Sequence, residues 1–497
     1  MLFNTPDFLI FFVIVIGLIA LFKFRKFQHI LIIISSFYFI FYTDNFLVAL
    51  LISTILLHFY TGREIYKSKD PKIRKIFLII GVLGSLSLLG FFKYYDFAIA
   101  QFNIFGNLLN LDSQIPLLNL ALPIGISFYT FQSLSYIIDI YRGSLEPSKS
   151  LKEYAFFVAF FPALVAGPIL RARDFLPQLR EKIAQSKTSE NLKLLIINNS
   201  NLKFGLTLMS LGLFKKLFFA DNIGVLVDNI FFNPIGLESF SIILGSIAFG
   251  IQIYCDFSGY SDIAIGAAAI LGFKIPLNFN KPFFATSPSD FWSRWHISLS
   301  TWVRDYLYYP LVFKNRKSDI VIFISLLISM FLMGLWHGAS WNFVIWGGLH
   351  GVFLASYTIL RKKFPSASSN IFFKTKFGKI TSILITQYLV FFTFIIFRVT
   401  DYDHMLYSME KYVFLDFKIV DTIEIIKSNE FSVSLLFLFL ILHFISYKKG
   451  NVVEYISKLK LKYWFIFLLC VFLPLTLFYL RSFQEFIYFK FLIFFIF

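Results

Sequence analysis

Charge is scarce in this chain. Asp, Glu, Lys and Arg together supply 15% of its 497 residues, against about 25% in an ordinary soluble domain. A water-soluble fold of this length is excluded, because too few ionisable groups exist to cover its surface. Cysteine is almost absent: Cys255 and Cys470 lie far apart in apolar surroundings, and no CxxC spacing occurs. That argues against a structural zinc site or a disulfide framework. No basic stretch and no small-residue cleavage site accompany the first apolar run, so Phe8 to Phe22 reads as a retained span rather than a cleaved signal. No long soluble segment interrupts the chain, and no sequence repeat emerges. The inverted repeat of hydropathy that would favour a transporter is missing as well.

What the chain does have is apolar sequence from end to end: 58% of it is hydrophobic and 69 residues are Phe. The apolar runs are long enough to cross a hydrocarbon core of about 30 Å at about 1.5 Å per residue. They are apolar on all sides, whereas a membrane β-barrel alternates with period two. The expected fold is an all-α polytopic membrane protein with about 11–14 transmembrane or re-entrant helices. A single domain spans 1–497, with N-terminal helices in 1–120, a core in 121–360 and C-terminal helices in 361–497. The net charge of +17 does not point to nucleic acid. Lys and Arg sit in short loops between spans, as the positive-inside rule requires, so membrane lipid is the expected neighbour and no nucleic-acid partner is expected.

Loop charge alternates along the chain. Lys23, Arg25 and Lys26 share one loop and Arg63 to Lys75 is basic, while Thr43-Asp44-Asn45 between them has no basic residue. The basic loops are assigned to the cytoplasm and the N-terminus to the outside. The middle resists this count. Only the run 154–170 separates two basic segments, and Phe161-Pro162 and Gly167-Pro168 interrupt it, so it reads as re-entrant or interfacial. Between Lys203 and Lys274 three apolar runs join two cytoplasmic ends. One of them must be broken or non-spanning, with Asp256-Phe-Ser-Gly-Tyr-Ser-Asp262, a polar turn between the second and third, as the place. A last apolar tail, 485–497, is short for a crossing.

Two stretches carry unusual chemistry. In Asp290 to Tyr309, Trp292, Trp295, Leu299, Trp302 and Tyr306 share one helical face, with Asp290, Arg294, Ser298 and Asp305 largely opposite. This reads as an interfacial amphipathic helix that also holds His296 and Arg304. In Gly334 to Gly351, His337, Asn342 and His350 stand inside apolar sequence with Trp336, Trp341 and Trp346. An ionisable group at membrane depth is costly and marks a functional site by default. His350 reads as a packing residue, and His29, His58, His404 and His443 as ordinary residues near span ends. No metal site is expected, because His296 and His337 lack a third ligand at suitable spacing.

With these motifs in view the sequence resembles the membrane-bound O-acyltransferase superfamily, in its alginate O-acetylation branch. The likeness rests on Leu122 to Gly143, Val165-Ala-Gly-Pro168, Arg173 to Gln178, Asp256 to Asp262, Asn278 to Phe283 and the two histidine stretches. Departures occur at Ser293, where a basic residue is expected, at Ala163 and at Leu311-Val312, and they bear on acceptor choice and loop geometry. The resemblance implies a ring-like arrangement of tilted helices and acyl transfer to a hydroxyl. His337 and His296 would be catalytic, with His337 as base or acyl relay. Asp290, Arg294, Arg304, Asp305, Trp336 and Asn342 are the substrate-binding or channel candidates.

The resemblance further implies acetyl-CoA as donor substrate, with no bound cofactor. It places the protein in a bacterial inner membrane. The acceptor would be an exported polysaccharide or a periplasmic SGNH-type acetyltransferase partner. A D-alanyl, protein or lipid acyltransferase of the same superfamily would share these histidines, and a transporter with broken helices is the alternative from another class.

Overall fold

Helix ends in this chain are written into the sequence. Thr5, Ser150, Ser287, Ser318, Ser340, Thr375 and Asp401 each cap a helix by accepting a backbone N–H two or three residues on, which satisfies donors that have no partner within the helix. The computed structural model describes residues 1–110, 114–188, 195, 198–365, 375–478 and 486–487. Among them the secondary structure is helical, with no strand. Seven helical stretches are long and apolar enough to cross a membrane: Arg25–Lys67, Pro71–Leu108, Ser239–Ile270, Asp319–His337, Trp341–Lys363, Lys376–Arg398 and Glu430–Lys449. Two shorter apolar helices, Pro6–Leu21 and Leu461–Leu477, accompany them. The expected tail 485–497 lies outside the described residues except for Phe486 and Ile487.

The described residues divide into two units: Met1–Met209 with Tyr260–Pro276, and Ser210–Gly259 with 277–487. In the first, the helix Val48–Lys67 packs on both Pro71–Leu108 and Ile126–Tyr141. His58 stands buried in it, not at a span end as expected. Its ring bonds to Thr54 O at 2.9 Å and Ser85 Oγ at 3.0 Å, so its polar atoms are satisfied inside the bundle. The run 154–170 is broken into Leu151–Val158 and Phe161–Leu164, both too short to cross, and every residue from 153 to 172 is buried. Phe156, Phe160 and Phe175 cluster with Phe273 there, which supplies the protein surround that broken backbone needs at membrane depth.

The second unit carries the two histidine stretches. Asp319–His337 and Trp341–Lys363 form a hairpin whose backbones touch. A Cβ on Gly334 would lie 2.1 Å from Phe343 O, and one on Gly347 would lie 2.3 Å from Met330 O, so only glycine permits the approach.

Two expectations are corrected. Asp256 to Asp262 is not a turn: it runs within one continuous helix, Ser239–Ile270. Asp256, Ser258 and Ser261 there are buried rather than looped out, and Asp256 is held by Lys216 and the Ile487 amide. The three apolar runs between Lys203 and Lys274 fall on two helical stretches, 199–231 and Ser239–Ile270, of which the second is among those long and apolar enough to cross a membrane. Nor is Asp290 to Tyr309 one amphipathic helix. It breaks at Trp295–His296 into Pro288–Arg294 and Ile297–Val303, followed by a π-helical turn Arg304–Tyr308.

Candidate active site

His296 owes its position to that break. It caps Ile297–Val303 from the left-handed region, at φ 43° and ψ 54°, where few non-glycine residues sit and where backbone strain is stored at functional sites. Neighbouring backbone holds the kink: Trp295 N donates to Phe291 O at 2.8 Å and Ile297 N to Asn278 O at 2.9 Å. The ring is 1% exposed and packs edge-on against Phe257 at 4.6 Å. Burial pushes its pKa down to about 3, so the imidazole is neutral across the physiological range. Its Nε2 is buried with no hydrogen-bond partner among the described residues.

His337 ends the helix Asp319–His337, where Gly338 turns into extended backbone. Aromatic rings surround it: Trp336 at 4.9 Å, Trp346 at 5.1 Å and Phe397 at 5.4 Å. Trp336 also lies 5.7 Å from the His296 ring, so one indole touches both imidazoles. His296 and His337 line the same small cavity of about 30 Å³, together with Asp256, Phe257, Trp295, Trp346, Phe394, Phe397, Phe486 and Ile487. That volume suits a group of about water size, and the walls are otherwise apolar.

A second cavity of about 440 Å³ lies in the same unit, lined by Trp292, Ser293, Ser300, Thr301, Arg304, Tyr308 and the helix residues Ser329, Met330 and Met333. Trp292 lines this cavity and Trp346 the smaller one, and their indoles meet edge-on at 5.8 Å.

The other sequence candidates fall in different places. Asp290 accepts Arg294 Nε at 2.7 Å and the Thr286 amide at 3.0 Å. Burial works against its charged form, but these bonds and the guanidinium hold the carboxyl below its usual range. Arg304 pairs with Asp305 at 2.8 Å and is half exposed. Asn342 donates to Val399 O at 2.6 Å and ties the hairpin to the end of Lys376–Arg398. Of the candidates, only His296 and His337 line the small cavity and only Arg304 the large one. His350 packs between Trp292 and Trp346 and bonds Thr393 Oγ1 at 3.0 Å. Asp256, which is not among the sequence candidates, also lines the small cavity and is held by Lys216 at 2.7 Å; a carboxylate and an ammonium inside apolar runs are the signal that points to them. Among the described residues no cluster of metal-ligating side chains occurs.

Comparison with known proteins settles the family. The model of the MBOAT, membrane-bound O-acyltransferase, family matches residues 144–400, which include both histidines. The chain belongs to the membrane-bound O-acyltransferase family. It is a multi-pass membrane protein and an O-acyltransferase, so the transporter alternative falls. It is 34% identical to a peptidoglycan O-acetyltransferase of Helicobacter pylori over 396 residues, 73% of this chain and 72% of the relative. It is 38% identical to a probable alginate O-acetylase AlgI of Pseudomonas putida over 360 residues, 71% of this chain and 70% of the relative. A teichoic acid D-alanyltransferase of Bacillus subtilis is 31% identical over 301 residues, 58% of this chain and 71% of the relative.

Proposed function

We propose that this O-acyltransferase moves an acetyl group from cytoplasmic acetyl-CoA to a hydroxyl beyond the bacterial inner membrane. The acceptor is an exported polysaccharide or a periplasmic SGNH-type acetyltransferase that modifies one. The observation that carries the reading is the meeting of His296 and His337, from separate segments, at one aromatic-walled cavity. The printed names of two relatives, a peptidoglycan O-acetyltransferase and a probable alginate O-acetylase, favour acetyl as the group and a polysaccharide as its destination.

The roles follow from the environments. His337 takes the hydroxyl proton as oxygen attacks the thioester carbonyl, the C–S bond breaks, and the departing thiolate recovers a proton from the imidazolium. A positioned general base of this kind contributes about 10²–10⁴-fold. His296, kept neutral by burial, supplies a hydrogen bond rather than a charge. Trp346 Nε1, buried with no hydrogen-bond partner among the described residues, supplies an N–H for the oxyanion of the tetrahedral intermediate. The aromatic walls exclude water that would hydrolyse the donor. The larger cavity is assigned to the donor, with Arg304 and the Ser300 and Thr301 hydroxyls towards its phosphates.

The test is transfer from labelled acetyl-CoA in membranes, comparing the wild type with His337→Ala at matched expression. Base-labile label in the wild type and its loss in the variant are expected; full transfer by His337→Ala removes the catalytic assignment. D-alanyl transfer is the second reading, because a D-alanyltransferase is among the relatives. A D-alanyl thioester that outcompetes acetyl-CoA in the same membranes would establish it.

A further inference from the structure

Three charges lie buried together in the second unit. Lys216 Nζ stands 2.7 Å from Asp221 Oδ1 and 2.7 Å from Asp256 Oδ1, with all three side chains at most 10% exposed. The second oxygen of Asp256 accepts the Ile487 amide at 2.8 Å, so both of its oxygens are fixed. The backbone is shaped to make this cluster. Lys216 lies in a π-helical segment, Phe214–Ala220, between two α-helical stretches, a distortion often found at functional sites. The Ser239–Ile270 helix passes close beside it. A Cβ on Gly259 would lie 2.6 Å from Gly212 O and 3.2 Å from Lys216 N.

One ammonium thus holds two carboxylates at once. Buried ions are costly, and a pair would suffice to anchor one helix to another. The additional carboxylate is the one that reaches the reaction: Asp256 lines the small cavity with His296 and His337, and no other carboxylate does so among the described lining residues. Proton abstraction creates an imidazolium inside that apolar space, and a fixed negative charge stabilises it without reorganisation. We propose that Asp256 is the counter-charge for the imidazolium formed during acyl transfer, and that Lys216, with Asp221, is the residue set that positions it.

This rests on the acyl-transfer reading above. Asp256 stays ionised throughout: the hydroxyl proton passes to the imidazole, the new C–O bond forms, the C–S bond breaks, and the proton leaves with the thiolate.

The experiment measures kcat and KM for acetyl-CoA in native membranes that supply their own acceptor, normalised to folded protein. Asp256→Asn keeps the shape and removes the charge, and is expected to lower kcat about 100-fold, as loss of a preorganised electrostatic group does, with KM for acetyl-CoA unchanged. Lys216→Met is expected to fall similarly, while Lys216→Arg retains most of kcat. Asp221→Asn lies outside the cavity and reads the same field if Asp256→Asn fails to fold. It is expected to lower kcat several-fold at unchanged KM. Full kcat in Asp256→Asn or Asp221→Asn overturns the proposal. So does Lys216→Arg behaving like Lys216→Met with both melting lower, since that pattern marks a structural anchor alone. A wild type without His337-dependent transfer overturns the functional reading itself, whereas wild-type transfer with an indifferent Asp256→Asn overturns only this inference.

Discussion

Trp292 and Trp346 meet edge-on with ring centroids 5.8 Å apart, and each lines a different cavity. A wall of the space assigned to the donor thus meets a wall of the space that holds the histidines at this pair, and we read the pair as the partition between them. Offset and edge-on rings are a favoured packing mode, and these two are further fixed by the His350 ring at 5.1 and 4.8 Å.

The partition gives the first prediction. Trp292→Ala opens the small cavity to the large one and lets water reach the thioester. Acetyl transfer should fall about tenfold or more while coenzyme A release without acetylated product rises. The ratio of thiol release to base-labile acetyl in membranes measures both at once. An unchanged ratio would show that the two rings do not separate the compartments.

Trp346 separates a wall from a hydrogen bond. Trp346→Phe keeps an aromatic ring against His337 and deletes the N–H assigned to the oxyanion. A loss of roughly 10²-fold in kcat is expected, in line with removal of an oxyanion donor elsewhere, with less change in KM for acetyl-CoA. Retention of kcat by Trp346→Phe would leave the indole as packing only.

Part of this was legible in the sequence and part was not. The helical membrane class follows from scarce charge together with long apolar runs that lack period-two alternation, and His337 was legible because an ionisable group among apolar residues is costly. The break at His296 was hidden, since Trp292, Trp295, Leu299 and Trp302 fit an unbroken helical face and no Gly or Pro interrupts them. It is tertiary hydrogen bonding from Asn278, 2.9 Å to Ile297 N and 3.2 Å from its own Oδ1 to Ser298 N, that overrides the local preference. Asp256 was misplaced for the converse reason. A polar heptapeptide reads as a turn unless its partner is known, and Lys216 lies 40 residues earlier in another helix. Periodicity reports which side chains share a face; it does not report which charges meet.

The hairpin that carries His337 depends on glycine. Gly334→Ala places a methyl group 2.1 Å from Phe343 O, and backbone cannot yield as a flexible side chain does. The cost is expected to be at least the ~1–3 kcal/mol typical of overpacking, read as a lower melting temperature in detergent. Activity should fall with it, because His337 follows three residues later. Gly348→Ala serves as the control, since a Cβ there meets nothing within 4 Å. It should melt like the wild type.

His296 gives a prediction about pH. Burial holds its folded pKa at about 3, below the ordinary value of about 6.5. A lowered histidine pKa means the unfolded state binds the proton more readily. The contribution is therefore fully present above about pH 6.5 and is lost as pH falls from there towards 3. Between pH 8 and pH 5 the folded state should lose up to roughly 2 kcal/mol on this account, at about 1.36 kcal/mol per pH unit below 6.5. His296→Gln, which does not titrate, should show a correspondingly smaller drop in melting temperature over the same interval. Equal drops in the two proteins would mean that His296 binds its proton as readily in the folded as in the unfolded state, and its assignment as a neutral hydrogen-bonding group would fail.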